Sequence, residues 1–292
     1  MTRILIGPRR TWLADAIEDG GATVVTEGPA DAVVWTDPRQ PDGLRSVLDA
    51  DPGVRWVQLP WAGIEPFVPV LDHDRTWTCG KGVYADPVAE QALLFALMGL
   101  RGMATYASAT TWEPPEGRNL LGATVTIVGG GGIARSLLRL LEPFGATVSV
   151  IRRSVAPTLD DLDSLLPTSD VVVVALPLTP ETEGLFDDRR LRLLPAHAWL
   201  VNVARGAHVV TDDLVNVLEE GAIGGAGLDV TDPEPLPDGH PLWSLPNCFI
   251  SPHVGNTPEM AVPLLSARVR DNVRRFVAGD DLIGIVDVDA GY

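Results

Sequence analysis

The chain has 292 residues, a formal net charge of −17 and two cysteines. A length of this order predicts about two domains with cores that need no disulfide staples. Cys79 and Cys248 are too few for a disulfide framework and form no Cys-x-x-Cys pair, so a reducing, cytoplasmic setting is expected. The acid excess argues against a nucleic-acid partner, which needs a basic patch, and against an anionic membrane surface. The apolar runs near 92–100 and 171–176 fall short of the roughly 18 residues of a membrane span, and the apolar run at the start is too short for a signal peptide.

In chain order, residues 3–6, 23–25, 32–35 and 55–59 read as strands, with helical patterns at 11–19 and 42–49. A long apolar helix follows from Asp86-Pro87 to about Thr105, with Asp86 as its N-cap and Pro87 at its first helical position. It is apolar on more than one face, which suits a domain connector, a dimer contact or core. Residues 112–118 read as a loop. A second strand series comprises 124–128, 147–151, 170–175, 198–203, 225–230 and 248–251, with helices at 133–141, 158–166, 187–194 and 211–220 between its members. Residues 171–174 are all valine and predict a buried central strand. A last helix at 258–278 precedes a short strand near 285–288. Strands alternating with helices predict α/β architecture, parallel sheets with helices on both faces.

The stretch from Thr124 to Leu137 is strand, then Gly129-x-Gly131-x-x-Ala134, then helix. Gly129 suits the tight turn, Gly131 lets backbone approach a pyrophosphate, and Ala134 lets the helix pack on the sheet. Gly132 and Ile133 open the helix, whose free N–H groups favour phosphate. Strand before and helix after separate this pattern from a flexible glycine turn and predict dinucleotide binding. The next strand ends in Arg152-Arg153-Ser154 where an NAD site places an acid. Two guanidiniums and a hydroxyl suit a 2′-phosphate, so NADP(H) is expected ahead of NAD(H).

Three later segments put polar groups beyond strand ends: Asn202-Val203-Ala204-Arg205-Gly206, Asp229 to Glu234-Pro235, and Ser251-Pro252-His253-Val254-Gly255-Asn256. In open α/β sheets ligands bind there. These segments, with Leu176-Pro177-Leu178-Thr179-Pro180-Glu181-Thr182, Gly227-Leu228-Asp229-Val230 and His240-Pro241-Leu242-Trp243, resemble the D-isomer-specific 2-hydroxyacid dehydrogenase family. The resemblance runs from about Val54 onward and is densest from Leu121 to Asn256; the first 53 residues match in pattern only.

The resemblance implies reversible reduction of a small 2-keto acid. Arg205 would clamp the carboxylate and keto oxygen, His253 would be the general acid of reduction, and Glu234 would orient His253 and favour its imidazolium. It assigns Pro177, Val203, Asp229 and Asn256 to the cofactor, and Trp61, Ala62 and Gly63, after an early strand, to the substrate carboxylate. It implies a flavodoxin-like substrate domain from 1–87 and 258–292, with a Rossmann-type domain at 88–257 inserted in it, a ligand cleft between the two, and a homodimer. His73, His197, His208 and His240 match no catalytic position and read as structural or exposed. The spacing of Asp229, Asp232 and Glu234 could suggest a metal, but the intervening prolines oppose it, and no metal is expected. Within the family the glyoxylate/hydroxypyruvate reductase branch is the nearest pattern. A phosphoglycerate dehydrogenase-like enzyme and a nicotinamide-sensing corepressor-like protein are the alternatives.

Overall fold

The computed structural model describes residues 1–8 and 10–291. They form two compact units, Met1–Tyr84 with Thr257–Tyr292, and Ala85–Asn256.

The first unit begins with β1 (Arg3–Gly7), α1 (Thr11–Asp19), β2 (Thr23–Val25), β3 (Ala32–Trp35), α2 (Pro41–Ala50), β4 (Trp56–Gln58) and β5 (Thr76–Thr78). The five strands are parallel, in the order β2-β1-β3-β4-β5, the flavodoxin-like arrangement. Side chains alternate across the sheet with the strand period of two. Ile4, Ile6, Ala32, Val34 and Trp56 join Leu13 and Ile17 of α1 on one face. Val33, Trp35, Val57 and Leu59 meet Leu44 and Leu48 of α2 on the other.

The second unit runs α3 (Ala85–Leu100), α4 (Met103–Tyr106), β6 (Thr124–Val128), α5 (Gly132–Leu141), β7 (Thr147–Ile151), α6 (Leu162–Leu165), β8 (Val171–Val174), α7 (Asp188–Leu191), β9 (Trp199–Asn202), α8 (Thr211–Glu219), β10 (Gly225–Leu228) and β11 (Cys248–Ile250). All six strands are parallel, in the order β11-β10-β9-β8-β6-β7. The valine strand β8 is buried on both sides. Val172 and Val174 pack with Leu214 and Val217 of α8, while Val171 and Val173 pack with Phe95 of α3 and Leu137 of α5. The chain then returns to the first unit as α9 (Pro258–Ala278), whose Leu265, Val269 and Val273 complete the Trp56 face.

Several local expectations need correction. Helix α3 starts before Asp86, so Asp86 is not its cap; its carboxylate instead accepts from Ser136 Oγ and, at 2.6 Å, from Arg139 Nη2 of α5. The same helix stops at Leu100, because Gly102 turns left-handed at φ 69° and α4 starts afresh. The helix expected at 158–166 is only the short α6 between 3-10 turns, and the one at 187–194 shortens to α7, with Pro195 closing off further turns. Near 285–288 a single antiparallel bridge, Thr78 to Ile285, replaces the expected strand. Strand β5 lies outside the sequence reading, which saw too little in three residues after an acidic turn.

Opposite ends of α9 carry signals the sequence does show. Thr257 Oγ1 accepts from the Met260 N–H at the start, and Gly279 ends the helix left-handed at φ 79°. Midway along, fully buried Asn272 ties three elements together. Its Nδ2 donates to Gln58 Oε1 (2.9 Å) and the Ile283 carbonyl (2.9 Å), and its Oδ1 accepts from the Ile283 N–H (2.8 Å). Replacing it removes partners from the part-buried Ile283 backbone and from the buried Gln58 amide. Asn272→Leu is expected to lower unfolding free energy by about 2–4 kcal/mol, read from urea denaturation; a loss within error of zero would show that water replaces the amide.

Candidate active site

One row of residues places the site in the second unit. Ile151, Val128, Val174, Asn202, Leu228 and Ile250 are in register across all six strands. Adjacent strands lie about 4.8 Å apart, so the segments leaving these strands emerge along one edge of the sheet. Those segments carry Arg152–Ser154, Gly129–Ile133, Pro177, Val203 and Arg205, Asp229 and Glu234, and His253. The chain order reverses between β6 and β8, the topological switch point where such sheets take ligands.

At that point Gly129 has φ 123°, and a Cβ there would fall 2.2 Å from the Ala175 carbonyl oxygen, so only glycine fits. Gly131 precedes α5, and a Cβ on it would meet nothing within 4 Å. The start of α5 is therefore an open cradle of free N–H groups with no acidic side chain in its first turn, suited to an anion. Ala134 is buried against the sheet. Arg152 lies close to this loop: a Cβ on Gly130 would come 2.8 Å from its Cγ, and its Nη1 donates to the Val150 carbonyl (3.2 Å). Arg152, Arg153 and Ser154 are exposed. The Thr179 hydroxyl, aided by the Glu181 backbone and the charge of Arg153, holds the Glu181 carboxyl below the ordinary range.

The Arg205 turn is held by Asn202, which is buried. Its Nδ2 donates to the Arg205 carbonyl (2.8 Å) and its Oδ1 accepts from the Ala204 N–H (3.1 Å). Arg205 Nη1 donates to the Ala204 carbonyl (2.8 Å). The turn sits directly on the next segment, for a Cβ on Gly206 would fall 2.0 Å from the Thr231 carbonyl carbon. Val203 is buried and Pro177 exposed.

Glu234 and His253 meet as the sequence reading expects, Glu234 Oε1 lying 2.8 Å from His253 Nδ1. Both side chains are about half exposed, 44% and 51%. His253 is the one non-glycine residue with positive φ (54°) among those described, a conformation uncommon for a residue with a side chain. Its N–H donates to the Asp229 carbonyl (2.8 Å). The nearly buried Asp229 carboxylate accepts from Ser251 Oγ (2.5 Å), the Val254 N–H (2.9 Å) and the Gly255 N–H (2.9 Å). Ser251 is further held by Gln91 Nε2 (3.0 Å). Asp229 thus braces the loop that carries His253, assisted by Ser251, which the sequence shows only as part of a motif, and by Gln91, which no motif marks. At the end of that loop the Asn256 side-chain carbonyl is buried with no donor among the described residues.

Trp61, Ala62 and Gly63 belong to the first unit, just beyond β4. Tyr84 props this loop: its hydroxyl donates to the Pro60 carbonyl (2.7 Å), and its ring lies 5.5 Å from that of Trp61. The Gly80 N–H donates to the Trp61 carbonyl (2.8 Å). Burial pushes the Tyr84 phenol well above its ordinary pKa. The other histidines have separate partners. His73 is paired with Asp289 (3.3 Å), His197 with Asp170 (2.7 Å), and His240 Nδ1 accepts from the Leu242 N–H (3.3 Å). His208 is fully buried between two carbonyls. Among the described residues, no helix is long and apolar enough to cross a membrane.

A parallel sheet with a glycine turn at its switch point and an Arg, Glu and His beyond its strand ends defines a dinucleotide-dependent oxidoreductase. A profile of the D-isomer specific 2-hydroxyacid dehydrogenase NAD binding domain matches residues 91–255, and the chain belongs to that family. It is accordingly a D-2-hydroxyacid dehydrogenase that uses a nicotinamide cofactor. Among curated relatives, glyoxylate/hydroxypyruvate reductase A of Serratia proteamaculans is 31% identical over 290 residues, 90% of this chain and 88% of that one. A D-isomer specific 2-hydroxyacid dehydrogenase from Xanthobacter autotrophicus Py2, solved with NADPH and MES, superposes with a TM-score of 0.84 at 26% identity, covering 100% of this chain and 99% of that one. An NADPH-dependent glyoxylate/hydroxypyruvate reductase from Sinorhizobium meliloti, solved with NADP and sulfate, gives 0.83 at 25% identity with both chains covered 100%.

Proposed function

We propose that the protein is an NADPH-dependent reductase of small 2-keto acids, with glyoxylate or hydroxypyruvate as substrate. The observation that carries this reading is the Glu234–His253 pair at 2.8 Å, set beyond β10 and β11, the two strands that follow β9, which leads to Arg205, across the sheet. The names of the Serratia and Sinorhizobium proteins support the substrate class.

The residues fit the cofactor. Gly131 to Ile133 offer the open helix start to the pyrophosphate, and the exposed Arg152, Arg153 and Ser154 suit a 2′-phosphate. The orphaned Asn256 carbonyl suits an amide donor such as the nicotinamide carboxamide, with Pro177, Val203 and Asp229 around it. When bound, the nicotinamide supplies the hydride. Arg205 holds the keto acid by its carboxylate and draws electron density onto the keto oxygen. His253 gives that oxygen a proton as the carbonyl carbon is reduced. Glu234 fixes the ring through Nδ1, which leaves Nε2 to deliver the proton. Trp61, Ala62 and Gly63 are assigned to the substrate carboxylate through their backbone. The reading also takes the enzyme as a cytoplasmic homodimer, with α3 and its half-exposed Leu94 in the interface.

Three measurements test it. Purified protein is expected to oxidise NADPH with glyoxylate or hydroxypyruvate, and His253→Ala or Arg205→Ala to lower kcat/KM roughly a hundredfold or more; near-wild-type turnover in either variant would refute the mechanism. The double substitution Arg152→Ser, Arg153→Ser should raise KM for NADPH roughly tenfold or more while leaving that for NADH little changed, whereas a wild-type preference for NADH would overturn the cofactor assignment. Glu234→Gln keeps the hydrogen-bonding shape and removes the charge. Its kcat is expected to drop by roughly tenfold or more at an unchanged NADPH dissociation constant, and an unaltered kcat would remove Glu234 from the reaction.

A further inference from the structure

His208 plays no part in the chemistry above, yet its place is unusual. It ends the 3-10 turn Gly206–His208 that directly follows Arg205. The imidazole is fully buried, with Nδ1 2.9 Å from the Thr182 carbonyl oxygen and Nε2 3.1 Å from that of Leu176. Those two carbonyls bracket Pro177, and the Thr182 hydroxyl closes the same loop by donating to the Pro177 carbonyl (2.9 Å). Backbone bonds extend the join, the Gly184 N–H donating to Ala207 (2.8 Å) and the Phe186 N–H to His208 (2.9 Å). One ring therefore stands between both ends of the 176–182 loop and belongs to the turn that presents Arg205.

We propose that His208 is a positioning residue that couples the Arg205 turn to the 176–182 loop, so that the substrate clamp and the cofactor wall are set as one piece. The inference rests on the assignment of Arg205 to the keto acid and of Pro177 to the cofactor.

The chemistry of the clasp is asymmetric. Burial, reinforced by the charge of Arg205, holds the His208 pKa below its usual value although both carbonyls favour the charged form. The neutral ring has one N–H and two acceptors facing it. Only one carbonyl is bonded at a time, and the shorter contact favours Thr182. An Asn amide nitrogen stands near the place of Nδ1 and a Gln amide nitrogen near that of Nε2, so the two variants keep one arm each, while Leu keeps neither.

The test measures NADPH dissociation by fluorescence without substrate, and KM and kcat for glyoxylate at saturating NADPH, in wild type, His208→Leu, His208→Asn and His208→Gln, with Tm recorded for each. His208→Leu is expected to raise the NADPH dissociation constant and the glyoxylate KM together, roughly tenfold each. His208→Asn is expected to restore both and His208→Gln to leave both impaired. A folded Leu variant with either constant at the wild-type value overturns the coupling. Should the Leu variant fail to fold, wild-type constants in both the Asn and Gln variants overturn it equally. A wild-type protein that binds neither NADPH nor NADH would instead bring down the functional reading, and this inference with it.

Discussion

The level ending of six parallel strands is the constraint on which the site depends. Because Ile151, Val128, Val174, Asn202, Leu228 and Ile250 share one register row, residues far apart in sequence leave the sheet side by side. A slip of one residue in any strand would invert its faces, exchanging valines between the two cores on either side of β8 and dragging the adjoining loop out of line. Apolar packing thus fixes the positions of the polar groups before any of them interacts.

Buried polar side chains then refine what the register only approximates. Asn202 holds backbone groups just beyond its own strand β9, and Asp229, at the end of β10, accepts from backbone N–H groups beyond the neighbouring β11. Each spends its hydrogen-bonding capacity on shaping a loop, which is the cheapest way to satisfy a buried group that water cannot reach. Asp229 serves the loop that forces His253 to φ 54°, and Asn202 serves the Arg205 turn. The acidic excess of the chain is a property of its surface as a whole. It does not oppose an anionic ligand at an edge that also carries Arg152, Arg153 and Arg205, since exposed charges beyond about 8–10 Å are largely screened.

Legibility in the sequence followed the strength of the local signal. Helices α1 and α9 were readable to the residue, the former from its apolar spacing and the latter with Thr257 before it and Gly279 after it. The all-valine β8 announced a central strand. Strand β5 did not show, because three residues carry no periodicity, and its membership depends on pairing with β4. Asp86 looked like a cap, and it was drawn inside α3 by Ser136 and Arg139 fifty residues onward, a contact that spacing does not encode. The pairing of Glu234 with His253 was legible only through the resemblance. The bracing by Asp229 and the double contact of His208 leave no trace in the sequence, because most of their partners are backbone N–H or carbonyl groups.

The return of α9 to the first unit has a consequence for the order in which the protein is made. Residues 1–84 leave the ribosome first, but the face of their sheet that bears Trp56 is covered by Leu265, Val269 and Val273. Until the whole of the second unit has been translated, that face has no α9. The inserted unit has all of its strands and both of its cores in one continuous stretch, so it can complete its fold during synthesis. The first unit, begun before the second, is therefore completed after it, and the Trp56 face of its sheet waits uncovered by α9 in the meantime.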